Sequence, residues 1–203
     1  MDGSESLTES TGTLALANRS VEFAWLSLPP DHRGLLEEVG AARRQVVAEP
    51  LGLLADRMLR SAGKQGPTPS KQASLDRALG AWIPELGTVL IHAAHPTLTA
   101  LDSVTYEAFI ARIAWHEWGH ALSLARCSRE DIAAGGRLLE QAPEGIRKII
   151  RDAGYGSKDY THEIIAEAYA LMMARLVQGH KDKPIWLHNE IYNLLTRVTG
   201  WGN

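Results

Sequence analysis

Cysteine, long apolar runs and excess basic charge are all scarce in this 203-residue chain. The single cysteine, Cys127, cannot form an internal disulfide. No apolar run approaches the roughly 20 residues that a membrane-spanning helix requires. The 21 Lys and Arg residues are balanced by 24 Asp and Glu residues, and no basic segment could follow a phosphate backbone. We therefore expect neither a membrane span nor a direct nucleic-acid partner.

The first ten residues, MDGSESLTES, also lack the apolar core of a secretory signal. Together with the lone cysteine, this composition predicts a cytoplasmic protein. Residues 1–18 are rich in Ser, Thr, Glu and Gly, which predicts a disordered tail. The chain has 45% hydrophobic and 22% charged residues, as ordinary globular domains have, so residues 19–203 are predicted to form a single domain.

The segment His116-Glu117-Trp118-Gly119-His120 has the HExxH spacing of a catalytic zinc motif. On a helix, residues four apart return to nearly the same face, so both imidazoles can reach one ion. Glu117 points about 100° away, where its carboxylate can reach a metal-bound water instead of the metal. Because a structural zinc site has no use for such a base, the spacing indicates a catalytic site.

Three fixed residues occur by chance in roughly one chain in a hundred of this length, so the setting of the motif matters. His116 and His120 continue an apolar stripe with Phe109, Ile113 and Leu124 at helical spacing. Burying two unpaired histidines on such a face would be costly. A shared metal ion explains them better than packing does.

A third ligand must come from elsewhere, because catalytic zinc sites typically have three protein ligands and one open position. Glu163 is the first candidate. It shares a helix face with Glu167, Ala166 and Ala170. The two alanines would let this helix approach the motif helix closely near the equally small Gly119. Glu167 could then orient a ligand histidine from outside the coordination shell.

Alternatives to this assignment stay open. Glutamates on a helix are most often exposed to solvent, which would give Glu163 no role at a metal. His162 is a rival ligand, although it points about 100° away from Glu163 on a helix. The group that stabilises an oxyanion or contacts substrate is open among Tyr155, Tyr160, His162 and His180.

In most of the remaining chain the apolar residues have helical spacing, and the clearest predicted strand is Gly87–His92. That strand could pair with Ala81–Ile83 or with Val21–Leu28.

His92 and His95 could form a second metal site, but no further ligand spacing supports one, so we interpret them as loop or substrate-cleft residues. The predicted fold class is a mainly helical α+β fold with a small mixed sheet. The predicted domain has a helical scaffold over 19–80, a catalytic core over 81–180 and a C-terminal helix over 184–200. The scaffold includes a helix over 31–48. The catalytic core contains a motif helix over 105–127, which Asp102 or Ser103 could cap.

HEWGH and the later run Glu-Ile-Ile-Ala-Glu-Ala-Tyr-Ala, residues 163–170, together resemble the gluzincin metallopeptidases. The pattern is similar to the small intracellular members related to the ImmA/IrrE group. Glu167 stands where that group has Asn, and Tyr169 where it has Phe. The resemblance covers roughly residues 86–177. It implies a zincin-like fold in which an edge strand before the motif helix binds extended peptide, a role that falls to Gly87–His92.

The resemblance further implies a zinc-dependent peptidase in which His116, His120 and Glu163 bind Zn²⁺. Glu117 would take a proton from a metal-activated water and return it to the leaving amine. The expected partner is a peptide or protein substrate, and the oligomeric state stays open. The competing interpretation is a catalytically silent protein of the same fold that binds metal or serves as an interaction module.

Overall fold

Of the described helices, the longest contains the HEWGH segment. The computed structural model describes the backbone of residues 4–201 and the side chains of residues 11–201. Over this range the mainly helical α+β fold with a small sheet is confirmed, and no described helix is both long and apolar enough to cross a membrane. The helices are α1 (Ser4–Leu26), α2 (Pro30–Glu38), α3 (Leu51–Ser61), α4 (Pro69–Asp76), α5 (Pro96–Thr99), α6 (Ser103–Arg126), α7 (Arg129–Ala133), α8 (Gly135–Gln141), α9 (Glu144–Asp152), α10 (Tyr160–Val177) and α11 (Asn189–Thr199), and the strands are β1 (Arg43–Val47), β2 (Gly80–Ile83) and β3 (Thr88–His92).

The chain divides into two compact units. One comprises the residues through Ser27 together with Gly40–Ala114, and the other comprises Leu28–Val39 together with the residues from Trp115 onward. The first unit contains all three strands, and the second contains the HEWGH segment and α10. The single domain predicted over residues 19–203 stays a prediction.

The sheet of the first unit has the order β1-β3-β2, with β1 parallel and β2 antiparallel to β3. All five residues of β3 are buried. Helices α3 and α4 pack on each other, and α3 also contacts β2 and β3. The core of this unit is formed by apolar side chains from those elements, among them Leu51, Leu54, Leu75, Ile83 and Leu90.

The prediction that Gly87–His92 forms an edge strand is wrong, because β3 lies in the middle of the sheet. Thr88 is in register with Arg43 of β1 on one side and with Ile83 of β2 on the other. A strand whose residues are all buried, with the apolar run Val89-Leu90-Ile91 at its centre, is covered on both faces. Both hydrogen-bonding edges of β3 are used within the sheet, so β3 cannot bind an extended peptide by strand addition.

The neighbours of β3 were only partly foreseen. Pairing with Ala81–Ile83 is confirmed by β2, whereas pairing with Val21–Leu28 is wrong because residues through Leu26 belong to α1. The predicted helix 31–48 is wrong in its second half, where the chain forms β1. Gly40 adopts a left-handed conformation with φ of 76°, which ends the helical run after α2 and turns the chain into the strand.

The predicted tail also differs from the structure. Helix α1 begins at Ser4, so residues 4–18 are helical, and residues 1–3 lie outside the described residues. Ala17, Val21 and Ala24 are buried, and α1 packs against β1. These three residues repeat at helical spacing, and their burial gives the helix a tertiary anchor that a polar composition does not reveal.

Helix α10 is the centre of the second unit. It packs against α7, α8, α9 and α11. Every residue from Glu163 to Ala170 is buried, which is the pattern of a helix covered on most sides. The two glutamates of this run are therefore held in the interior.

A buried aromatic cluster also forms on α10. Nδ1 of His32 lies 3.1 Å from the Tyr169 hydroxyl, in hydrogen-bond contact, and the rings of His32 and Trp201 are 5.4 Å apart. Burial lowers the pKa of His32 to about 4, although the charge of Asp31 partly opposes the shift. His32 is therefore neutral in the folded protein at neutral pH.

This cluster predicts a loss of stability in mild acid. Below about pH 6.5 the unfolded chain protonates His32, whereas the folded chain does so only below about pH 4, so stability falls through that window as pH falls. Between about pH 8 and pH 4.5 we expect the free energy of unfolding of the wild type to fall by roughly 2–3 kcal/mol more than that of His32→Gln. Urea unfolding at both pH values measures the difference. Equal pH dependence in the two proteins would contradict a buried neutral His32.

Candidate metal centre

Helix α6 holds the two motif histidines one turn apart. Its start is capped as predicted, because the backbone N–H groups of Val104 and Thr105 donate to Asp102 Oδ1 over 3.1 and 3.0 Å. The Nε2 atoms of His116 and His120 lie 3.0 Å apart. The two imidazoles thus converge on one point, as the four-residue spacing requires.

Helix α10 brings a carboxylate to the same point. Glu163 Oε1 lies 3.4 Å from His120 Nε2, and Glu163 Oε2 lies 3.9 Å from His116 Nε2. Glu163 is only 6% exposed, so it is not a solvent-facing residue of the helix edge. Its carboxylate is directed between the two histidines.

Glu167, one turn further along α10, contacts the outer side of His116. Its Oε1 lies 3.1 Å from His116 Nδ1. A hydrogen bond donated by Nδ1 leaves the Nε2 lone pair available to a metal and fixes the orientation of the ring. Glu167 therefore occupies the position of a carboxylate that orients a ligand histidine.

The charges around His116 favour a cation. Burial opposes protonation of this imidazole, but the hydrogen bond to Glu167 and the charges of Glu117, Glu167 and Glu163 outweigh it, so the pKa of His116 is raised. The same carboxylates that attract a proton attract a metal ion. An excess of negative charge in a buried cluster suits a divalent cation.

The donor set fits zinc in chemistry and in spacing. Among the described residues, His116, His120 and Glu163 form the one group of three potential ligands whose donor atoms lie within 4.8 Å of one another. Tetrahedral coordination at about 2.0–2.1 Å separates donor atoms by about 3.3 Å. The observed separations of 3.0, 3.4 and 3.9 Å bracket that value.

Glu117 belongs to the same buried cluster without being one of the three candidate ligands. It is 7% exposed, and its charge raises the pKa of both His116 and Tyr155. Glu117 is thus a buried carboxylate within electrostatic reach of His116 and outside the donor triad.

The other candidate residues are distributed differently. The Tyr155 hydroxyl donates a hydrogen bond to Glu163, and its pKa is raised by burial and by the charges of Glu163 and Glu117. Tyr160 packs beside Gly135 of α8. His180 lies beyond the end of α10, where its backbone N–H donates to Arg175. Tyr155 is thus hydrogen-bonded to one member of the donor triad.

His162, the rival ligand, faces another partner. Its Nδ1 lies 3.1 Å from the Ser123 hydroxyl, and Ser123 in turn donates to the carbonyl of His120. Burial lowers the pKa of His162, and the nearby His120 lowers it further. Sequence reasoning missed Ser123, although its position three residues after His120 places it on the same side of α6.

His92 and His95 have structural partners in the first unit. His92 Nε2 lies 3.2 Å from the carbonyl of Ala48. His95 caps α5 by accepting a hydrogen bond from the Thr97 backbone N–H. Neither belongs to a group of three potential metal ligands among the described residues. A second metal site is therefore not supported there.

HEWGH and the Glu163 segment thus have the geometry described above, with the two imidazoles and one carboxylate converging. Comparison of the chain with protein-family models, curated proteins and solved structures found no match.

Proposed function

We propose that this protein is a zinc-dependent peptidase with a zincin-like fold, similar to the small gluzincins. His116, His120 and Glu163 bind Zn²⁺, and Glu117 is the general base. The observation that carries the proposal is the convergence of Glu163 on the two Nε2 atoms, at 3.4 and 3.9 Å. Burying both glutamates of this helix beside two histidines is energetically costly unless a cation is held there.

The reaction assigns one task to each residue. When bound, zinc supplies Lewis acidity, which lowers the pKa of water and polarises a peptide carbonyl. The Glu117 carboxylate accepts the proton from the attacking water and delivers it to the nitrogen of the departing amine. Glu167 holds the His116 ring in place through Nδ1.

The substrate in this proposal is a peptide or protein, and the location is cytoplasmic. Substrate addition to β3 is not part of it, because that strand is internal to the sheet. A catalytically silent metal-binding protein is the competing function, and the buried Glu117 favours the enzyme, because a structural site needs no base.

Removal of the metal tests the proposal. We expect the purified protein to cleave members of a peptide library, to lose that activity when a chelator strips the metal, and to regain it with about one equivalent of Zn²⁺. Mass spectrometry of the library identifies the cleavage products. Stoichiometric zinc binding without any cleavage would favour the silent protein, and cleavage that survives chelation would contradict zinc catalysis.

A further inference from the structure

We infer that Gly119, at the fourth position of HEWGH, is a positioning residue for the third metal ligand. Its lack of a side chain sets the distance between α6 and α10 at which Glu163 reaches the two histidines. This inference rests on the proposed zinc site, and it assigns Gly119 a task that the HExxH spacing itself does not require.

The two helices meet at Gly119 with no room for a methyl group. A Cβ atom on Gly119 would lie 2.7 Å from the Cα of Ala166, 3.3 Å from the carbonyl oxygen of Ala166 and 3.3 Å from the Cβ of Tyr169. The shortest of these contacts is with backbone, which cannot rotate away as the end of a side chain can. A residue larger than glycine therefore has to push α10 away from α6.

The point of contact lies among the ligands on both helices. On α6, Gly119 stands between His116 and His120, and on α10, Ala166 is less than one turn from Glu163. Any separation of the helices at this point is therefore transmitted almost fully to the distance between the carboxylate and the imidazoles. Metal sites tolerate displacements of only about 0.5 Å before coordination deteriorates.

Helix propensity alone predicts that Gly119→Ala stabilises α6, whereas the inference predicts that it weakens the metal site. The two expectations differ in sign, which makes the inference testable. Alanine is more favourable than glycine in the interior of a helix, so a glycine with open space around it should improve when replaced. Gly136 and Gly145 have such open space, because a Cβ built on either has no neighbour within 4 Å; each is the second residue of its helix, α8 or α9. Gly136→Ala and Gly145→Ala are thus glycine-to-alanine controls in the same unit.

The experiment compares the Zn²⁺ affinity of wild type, Gly119→Ala and the two controls by competition with a chromophoric chelator. We expect Gly119→Ala to bind Zn²⁺ about 10- to 100-fold more weakly, while both controls stay within about twofold of wild type. Visible spectra of the Co²⁺-loaded proteins provide a second readout, since loss of the Glu163 carboxylate changes the coordination. Far-UV circular dichroism establishes that the metal-free proteins are folded.

Equal Zn²⁺ affinity and equal Co²⁺ spectra for Gly119→Ala and wild type would overturn the inference. If metal-free Gly119→Ala does not fold, its refolding is titrated with Zn²⁺, because binding to the native state drives folding. Refolding of Gly119→Ala at the Zn²⁺ concentration that suffices for wild type would also overturn the inference. Failure to refold at that concentration would support it. Failure of the proposed function would give a different result, because wild type would then bind zinc without cleaving peptides.

Discussion

Replacement of Glu117 by glutamine is expected to abolish peptide cleavage while leaving zinc binding intact. Glutamine has the same shape but cannot accept the proton of the attacking water, and general base catalysis typically contributes 10²- to 10⁴-fold to the rate. Because Glu117 lies outside the group formed by His116, His120 and Glu163, its replacement leaves that donor set unchanged. We therefore expect kcat/KM to fall by at least about 100-fold.

Two measurements on the same preparations decide this prediction. Elemental analysis gives the zinc content of wild type and Glu117→Gln, and cleavage of a peptide library gives their activity. Full zinc content with activity lost in the variant supports the assigned base. Equal activity of the two proteins would contradict the role of Glu117 as the general base.

Removal of the third ligand is expected to have the largest effect on metal binding. Glu163→Ala eliminates the carboxylate that lies 3.4 Å from His120 Nε2 and leaves two ligands, so we expect Zn²⁺ affinity to fall by more than about 100-fold, beyond the range seen for outer contacts. His162→Ala should have a much smaller effect, since the His162 ring contacts Ser123. Competition titration with a chromophoric chelator measures both affinities.

Glu163→Gln provides a matched control for size. It retains the shape and one acceptor oxygen but loses the charge, so its affinity should lie between those of wild type and Glu163→Ala. Weaker binding by His162→Ala than by Glu163→Ala would reverse the ligand assignment and make the histidine the third ligand.

Much of the candidate site could be predicted because it depends on helical periodicity. The four-residue spacing of His116 and His120 fixes their common face, and the same spacing places Glu163 and Glu167 together. Helix α6 satisfies that requirement, and the contacts of Glu163 with both imidazoles follow from the close approach at Gly119. Local patterns are informative where a site lies on two regular helices.

The elements that were not predicted depend on tertiary contacts. The sequence of β1, Arg43-Arg44-Gln45-Val46-Val47, does not alternate between apolar and polar residues. The strand forms because it pairs with β3. For the same reason β3 could not be recognised as a central strand. The contacts of Ser123 with His162 and of Tyr155 with Glu163 join different elements of the second unit, and no spacing within one helix indicates them.

The most direct test of the account is a crystal structure of the protein grown with Zn²⁺, with anomalous scattering recorded at the zinc absorption edge. The account predicts one strong peak at about 2.0–2.2 Å from Nε2 of His116, Nε2 of His120 and a carboxylate oxygen of Glu163. Glu117 should lie outside the coordination shell, and Glu167 should keep its contact with His116 Nδ1. A zinc ion bound by His162 in place of Glu163, or the absence of any peak between the two motif histidines, would contradict it.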